Sequence, residues 1–215
     1  MNWGSEKIPV EYGPTTKFDK LEIEMARNWS QEIYISAYRF AAEAHWNSKK
    51  QQLVPGTDIP YLMHFTLVAM EVMAALEKES NLDGDLAVQC SLLHDTIEDT
   101  YITYKQLVER FGIAVADGVD ALTKNKFVGA NLPKQLKKEL QMADSLDRIR
   151  QQPREIWIVK MADRITNLQP PPTNWKPEKI KRYREEAIII HDRLKAGSEY
   201  LASRLLKKIN DYPEK

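Results

Sequence analysis

The sequence predicts an all-α protein, a single-domain helical bundle of about ten helices. Three observations carry that expectation. Apolar residues recur at three- and four-residue steps in one segment after another, the period of a helix with one buried face. The segments are bounded by residues that start or stop helices, among them Ser30, Pro60, Thr103, Gly112, Pro133, Pro153 and Pro177. No stretch alternates with a two-residue period between hairpin turns, so no sheet is expected.

Residues 1–14 contain Gly4, Pro9, Gly13 and Pro14 and read as a flexible N-terminal arm, which leaves 15–215 for the folded domain. Residues 15–29 are helical in pattern, with Phe18, Leu21, Ile23, Met25 and Trp29 apolar and Thr15 or Thr16 as cap. Ser30 caps the next helix, whose stripe of Ile33, Ala37, Phe40, Ala41 and Ala44 ends at His45. A polar loop follows, with a turn signal at Pro55-Gly56. Pro60 fits the first turn of the helix after it, placing His64 near its start and the apolar run 65–76 behind. Residues 81–84 break the chain, and the run 86–93 reads as a buried helix continuing into His94-Asp95-Thr96-Ile97-Glu98-Asp99. Thr103 and Gln106 form a capping box for 104–111, Gly112 ends that helix, and 113–122 make another. After a basic loop, 123–133, Pro133 starts an amphipathic helix with Leu136, Leu140, Ala143, Leu146 and Ile149 on one side. Pro153 starts 154–168, whose face turns polar at Lys160, Asp163 and Asn167. The prolines 170–172 form a rigid break, Pro177 opens a helix to 194, and a last one runs to about 212.

At 215 residues the chain can bury one substantial core. Its 31 basic and 31 acidic residues balance, which argues against a nucleic-acid or membrane-surface binder. Cys90 is the only cysteine and lies in an apolar run, so it reads as a core residue and fits a reducing cytoplasm. No apolar signal core opens the sequence, and the 65–76 run is broken by Glu71 and too short to span a bilayer. A cytoplasmic protein is expected.

The chemistry concentrates at His94, Asp95, Glu98 and Asp99, directly behind a buried helix. On a continuous helix His94 and Glu98 share one face and Asp95 and Asp99 the adjacent one, so all four line one pocket wall. Charges that deep need a partner or a ligand. His64 at one helix start and Asp163 on the polar face of another complete two imidazoles and two carboxylates, a donor set suited to manganese, iron or zinc with open positions for water. Such an ion lowers the pKa of a water, and Glu98 and Asp99 are placed to take or relay its proton. His45 reads equally as a structural residue or a substrate contact, and His191 as a surface residue. Arg164 serves either to neutralise a phosphate or to pair with Glu98 or Asp95. Lys49, Lys50, Lys124, Lys126, Lys176 and Lys179 are candidates for a basic rim, although most lysines are simply solvated.

His64, His94-Asp95 and Asp163 match the metal-binding pattern of the HD phosphohydrolase superfamily. More narrowly, LLHDTIEDT, the preceding PYLMH, ALTK at 121–124 and KMADRITNL at 160–168 resemble the hydrolase domain of RelA/SpoT proteins. PTNW at 172–175, with Tyr183 eight residues after the tryptophan, is most similar to the stand-alone small alarmone hydrolases, a group that includes the metazoan SpoT homologue. The resemblance runs over about 36–194. It implies an HD-fold helical bundle and one manganese ion on His64, His94, Asp95 and Asp163. It also implies removal of pyrophosphate from the 3′ position of (p)ppGpp, giving GDP or GTP. In the same terms Glu98 and Asp99 act on water or leaving group, Asn167 meets the nucleoside, and Lys179 and Tyr183 approach phosphate or ribose. The implied partner is a nucleotide alarmone substrate, with no nucleic acid and no membrane; a homo-oligomer is compatible with it.

Two departures leave the substrate open. Lys50 and Gln51 stand where relatives usually carry Arg-Lys, and lysine lacks the planar fork that stacks on a purine and clamps phosphate. Leu168-Gln169-Pro170 replaces a stretch in which many relatives have a threonine. Lys50 is retained as a substrate contact, while (p)ppApp, NADPH or another nucleotide remains an alternative substrate. A non-catalytic alarmone-binding module is the non-enzymatic alternative, opposed by the presence of every motif acid.

Overall fold

The computed structural model describes residues 28–48, 53–54 and 56–214. The expected arm 1–14, most of the 15–29 helix and Lys50 lie outside these residues. Ten α-helices run in order among the described residues: α1 (Gln31–Trp46), α2 (Leu62–Leu76), α3 (Gly84–Leu93), α4 (Thr96–Asp99), α5 (Tyr104–Phe111), α6 (Ile113–Leu122), α7 (Lys134–Gln151), α8 (Arg154–Asn167), α9 (Pro177–Leu194) and α10 (Glu199–Asp211). A 3-10 turn, Lys195–Gly197, joins the last two. The described residues contain no strand, only an isolated bridge between Leu53 and Pro60. None of their helices is long and apolar enough to cross a membrane.

The centre is α3, apolar nearly all round, with Ala87, Val88, Cys90, Leu92 and Leu93 buried. It packs against α1, α2, α6 and α8, and α8 also packs on α2 and α10. Each fully buried leucine or isoleucine in these contacts contributes about 1.5–3 kcal/mol of hydrophobic stabilisation. The approach of α6 is close because residue 118 is glycine: a Cβ there would stand 2.5 Å from Ile156 Cδ1 and 2.9 Å from Cys90 Sγ.

Local signals mostly act as expected. Thr103 and Gln106 make both capping-box bonds, and Gly112, at φ 86°, takes the left-handed conformation that turns α5 into α6. Three details differ. Ser30 sits at the start of α1 without a side-chain cap bond, and its N–H donates instead to Asp85 Oδ1 at 2.6 Å. Pro60 lies ahead of α2, with Tyr61 at the N-cap. His191, expected at the surface, is partly buried beside Asp192.

The larger correction concerns the central motif. The helix does not continue through it: α3 ends at Leu93, His94 and Asp95 form a turn, and α4 restarts at Thr96. Side chains end it by occupying the backbone. His94 Nδ1 lies 2.8 Å from Ser91 O, and Thr96 Oγ1 donates to Leu93 O at 2.7 Å. Asp95 adopts φ −101°, ψ 0°, the bridge region common at functional sites.

Candidate metal centre and nucleotide cavity

That break lets two neighbouring side chains converge. On an unbroken helix His94 and Asp95 would diverge by about 100°; across the turn, His94 Nε2 and Asp95 Oδ2 are 3.0 Å apart. From the first turn of α2, His64 Nε2 lies 3.3 Å from His94 Nε2 and 3.9 Å from Asp95 Oδ2. From α8, Asp163 Oδ1 lies 3.4 Å from His64 Nε2 and 4.0 Å from His94 Nε2. His64, His94 and Asp95 form the tightest triplet, with ligand atoms within 4.8 Å of one another. Asp163 closes the cluster from the α8 side.

The donor chemistry fits a divalent cation. His94 Nδ1 engages the Ser91 carbonyl, which turns Nε2 inward, the usual arrangement behind a metal-ligating histidine. The cluster contains no thiolate. Without a cation, its charges lean on each other. Burial works to lower the His94 pKa, but Asp95, Asp163 and the Ser91 carbonyl raise it to about 9. Burial works to raise both carboxylates. His94 nevertheless pulls Asp95 below the usual range, and Lys160, with the two histidines, pulls Asp163 well below it.

Further contacts orient the acids. Tyr61 donates its hydroxyl to Asp95 Oδ2, Lys160 Nζ binds Asp163 Oδ2 at 2.8 Å, and Asn167 Nδ2 donates to Asp163 Oδ1. Burial, then Asp95, hold the Tyr61 hydroxyl far above its ordinary pKa, so it remains a donor. Behind it lies His45, buried with its ring 5.3 Å from Tyr61 and 5.7 Å from Phe65. The position of Tyr61 was readable: it precedes His64 by three residues, one turn.

Glu98 and Asp99 are half-buried on α4, beside the cluster. Glu98 Oε2 accepts from the Lys124 backbone N–H at 3.1 Å, and Oε1 from Lys124 Nζ at 2.7 Å. On the other side of His64 a cavity opens, walled by Asn167, Pro170–Pro172, Trp175, Tyr183 and Tyr212. Lys179 Nζ sits 3.4 Å over the Trp175 ring. Arg164 turns away from Glu98 and Asp95: it is buried, 4.6 Å over the Tyr183 ring and 3.4 Å from Glu186 Oε2. Its Nε and Nη1, like the Tyr212 hydroxyl, have no protein partner.

The HD-domain family model matches residues 37–198, three quarters of the chain and all of this cluster. The chain belongs to the HD-domain family. The Xenopus tropicalis protein named guanosine-3′,5′-bis(diphosphate) 3′-pyrophosphohydrolase MESH1 is 29% identical over 177 residues, covering 80% of this chain and 90% of that protein. The Aquifex aeolicus guanosine-3′,5′-bis(diphosphate) 3′-pyrophosphohydrolase is 32% identical over 161 residues, covering 72% of this chain and 20% of that longer protein. A solved structure of a metazoan SpoT orthologue, described as hydrolysing ppGpp, superposes with a TM-score of 0.66 at 22% identity, covering 85% of this chain and 96% of that one. That likeness establishes the HD fold, and membership implies a divalent metal, for which His64, His94 and Asp95 are available.

Proposed function

We propose that this HD protein is a manganese-dependent 3′-pyrophosphohydrolase of guanosine alarmones, converting (p)ppGpp to GDP or GTP and pyrophosphate. The observation that carries the reading is the meeting of two imidazoles and two carboxylates between an acid pair and an aromatic cavity. The names of the relatives point to the same reaction. His64, His94, Asp95 and Asp163 hold the ion. When bound there, it supplies Lewis acidity, lowering the pKa of a water and offsetting phosphate charge.

The chain's own residues do the rest. A water oxygen bonds to the phosphorus carried on O3′, the P–O3′ bond breaks, and pyrophosphate departs. Glu98 and Asp99 take the proton from the water and return one to O3′. Tyr61 and Asn167 keep Asp95 and Asp163 aimed inward, and Asn167 also faces the nucleoside. Tyr183 and Trp175 wall the cavity, with Lys179 and Lys50 meeting phosphate or ribose. Arg164 acts through Tyr183, as a positioning residue. Incubating the manganese-loaded protein with ppGpp, ppApp and NADPH side by side tests this. GDP and pyrophosphate from ppGpp are the expected products; turnover confined to ppApp or NADPH would reassign the substrate.

A further inference from the structure

Glu98 is held by two donors from one residue, and they differ in kind. The Lys124 backbone N–H is fixed by the loop that follows α6, and it binds Oε2. The Lys124 ammonium, on Oε1, ends a flexible side chain that is 58% exposed, while the Glu98 side chain is 22% exposed. One contact is anchored and the other can leave. The surroundings give it somewhere to go. Asp95, Glu98, Asp99 and Asp163 crowd one end of the site, a hostile entrance for a polyanion. Lys160 is committed to Asp163 from within. Burial works to lower the Lys124 pKa, but Glu98 and then Asp95 and Asp163 raise it, so its ammonium remains charged and answers to the whole acid cluster.

We propose that Lys124 is an exchangeable clamp for the pyrophosphate group of the substrate. In the free protein its ammonium neutralises Glu98. When the pyrophosphate arrives, the ammonium moves from Glu98 Oε1 onto a phosphate oxygen, while the backbone N–H keeps Oε2 in place. The exchange offsets charge on the incoming group and uncovers a Glu98 oxygen for the reacting water. The inference deepens the proposed reaction and rests on it for the identity of the substrate, but the pyrophosphate contact can be measured without turnover.

The experiment is calorimetric titration of the manganese-loaded protein with inorganic pyrophosphate and, separately, with GDP, in wild type, Lys124→Met, Lys124→Arg, Glu98→Gln and the Glu98→Gln/Lys124→Met double variant. Lys124→Met is expected to weaken pyrophosphate binding by about tenfold to a hundredfold, the range for a charge-assisted hydrogen bond, and to leave GDP binding and metal content unchanged. Lys124→Arg restores most of the affinity. Glu98→Gln tightens pyrophosphate binding by releasing the ammonium, and this gain shrinks in the double variant, because without the ammonium only the general loss of negative charge remains. Equal pyrophosphate affinity in wild type and Lys124→Met would overturn the clamp, and so would an equal gain from Glu98→Gln in both backgrounds. Loss of GDP binding or of metal alongside pyrophosphate would reduce Lys124 to a structural role. If ppGpp is not hydrolysed but the pyrophosphate results hold, the clamp stands and the substrate assignment falls.

Discussion

His64 and Asp163 ride on helices that share the core, His94 sits in the turn that closes α3, and each is no more than 7% exposed. Glu98, Lys124 and Lys179 stand instead on a four-residue helix, a loop and the outer side of α9, where solvent reaches them. The contrast separates two tasks. The wall proposed to hold the cation is fixed by packing, because moving it means disturbing α2, α3 and α8 together. The rim proposed to meet the substrate can change side chain by side chain without touching the core, so substrate choice is expected to vary there while the proposed metal set stays.

The sharpest break of that contrast comes from the wall. Asp163→Ala or His94→Ala should lose metal and turnover together, with turnover down by roughly a thousandfold or more as the water's pKa climbs back from about 7. Elemental analysis beside a product assay checks both. Glu98→Ala should keep its metal and lose about 10²–10⁴-fold in kcat, the usual scale for general acid–base catalysis. A fully active Glu98→Ala protein would remove that side chain from the mechanism. Tyr61→Phe, which deletes only the hydroxyl on Asp95, should weaken metal binding by about 10–100-fold and leave the fold intact. Equilibrium dialysis would read it.

Proton linkage separates wall from rim more gently. With its pKa raised to about 9, His94 is protonated in the metal-free protein at neutral pH, and its imidazolium stabilises that state. The contribution is complete below about 6.5, the ordinary histidine value, and disappears as pH rises through about 9. Metal uptake runs the other way, since the ion requires neutral imidazole: affinity should rise with pH across that window, releasing a proton from His94. A pH series of metal titrations tests the sign. The smallest effect is expected at Arg164→Met, which removes a cation–π contact with Tyr183 of about 0.5–2 kcal/mol and two unpartnered nitrogens with it. Its KM should rise a few-fold with metal content unchanged.

Much of this was legible in the sequence, for identifiable reasons. Thr103 and Gln106 announce a capping box because the contact is local, and Asp163 stands out because it lies where one face of its helix turns from apolar to polar, between Lys160 and Asn167. The turn at His94-Asp95 was not legible: helical periodicity continues through it, and the break comes from His94 and Thr96 side chains capturing the carbonyls of Ser91 and Leu93. The direction of Arg164 escaped too, since a neighbour of Asp163 on α8 points to a different side, here toward α9. Tyr212 enters the cavity wall through the packing of α9 and α10, which no short-range pattern encodes. Lys124 was readable as one basic residue among several, but its choice of Glu98 depends on how the 123–133 loop returns to α4.

Anomalous X-ray scattering at the manganese edge, from crystals of the protein grown with manganese, tests the central claim most directly. A single strong peak among His64 Nε2, His94 Nε2 and the carboxylates of Asp95 and Asp163 is predicted. No peak there, or a peak elsewhere while those four side chains bind only one another, would contradict it.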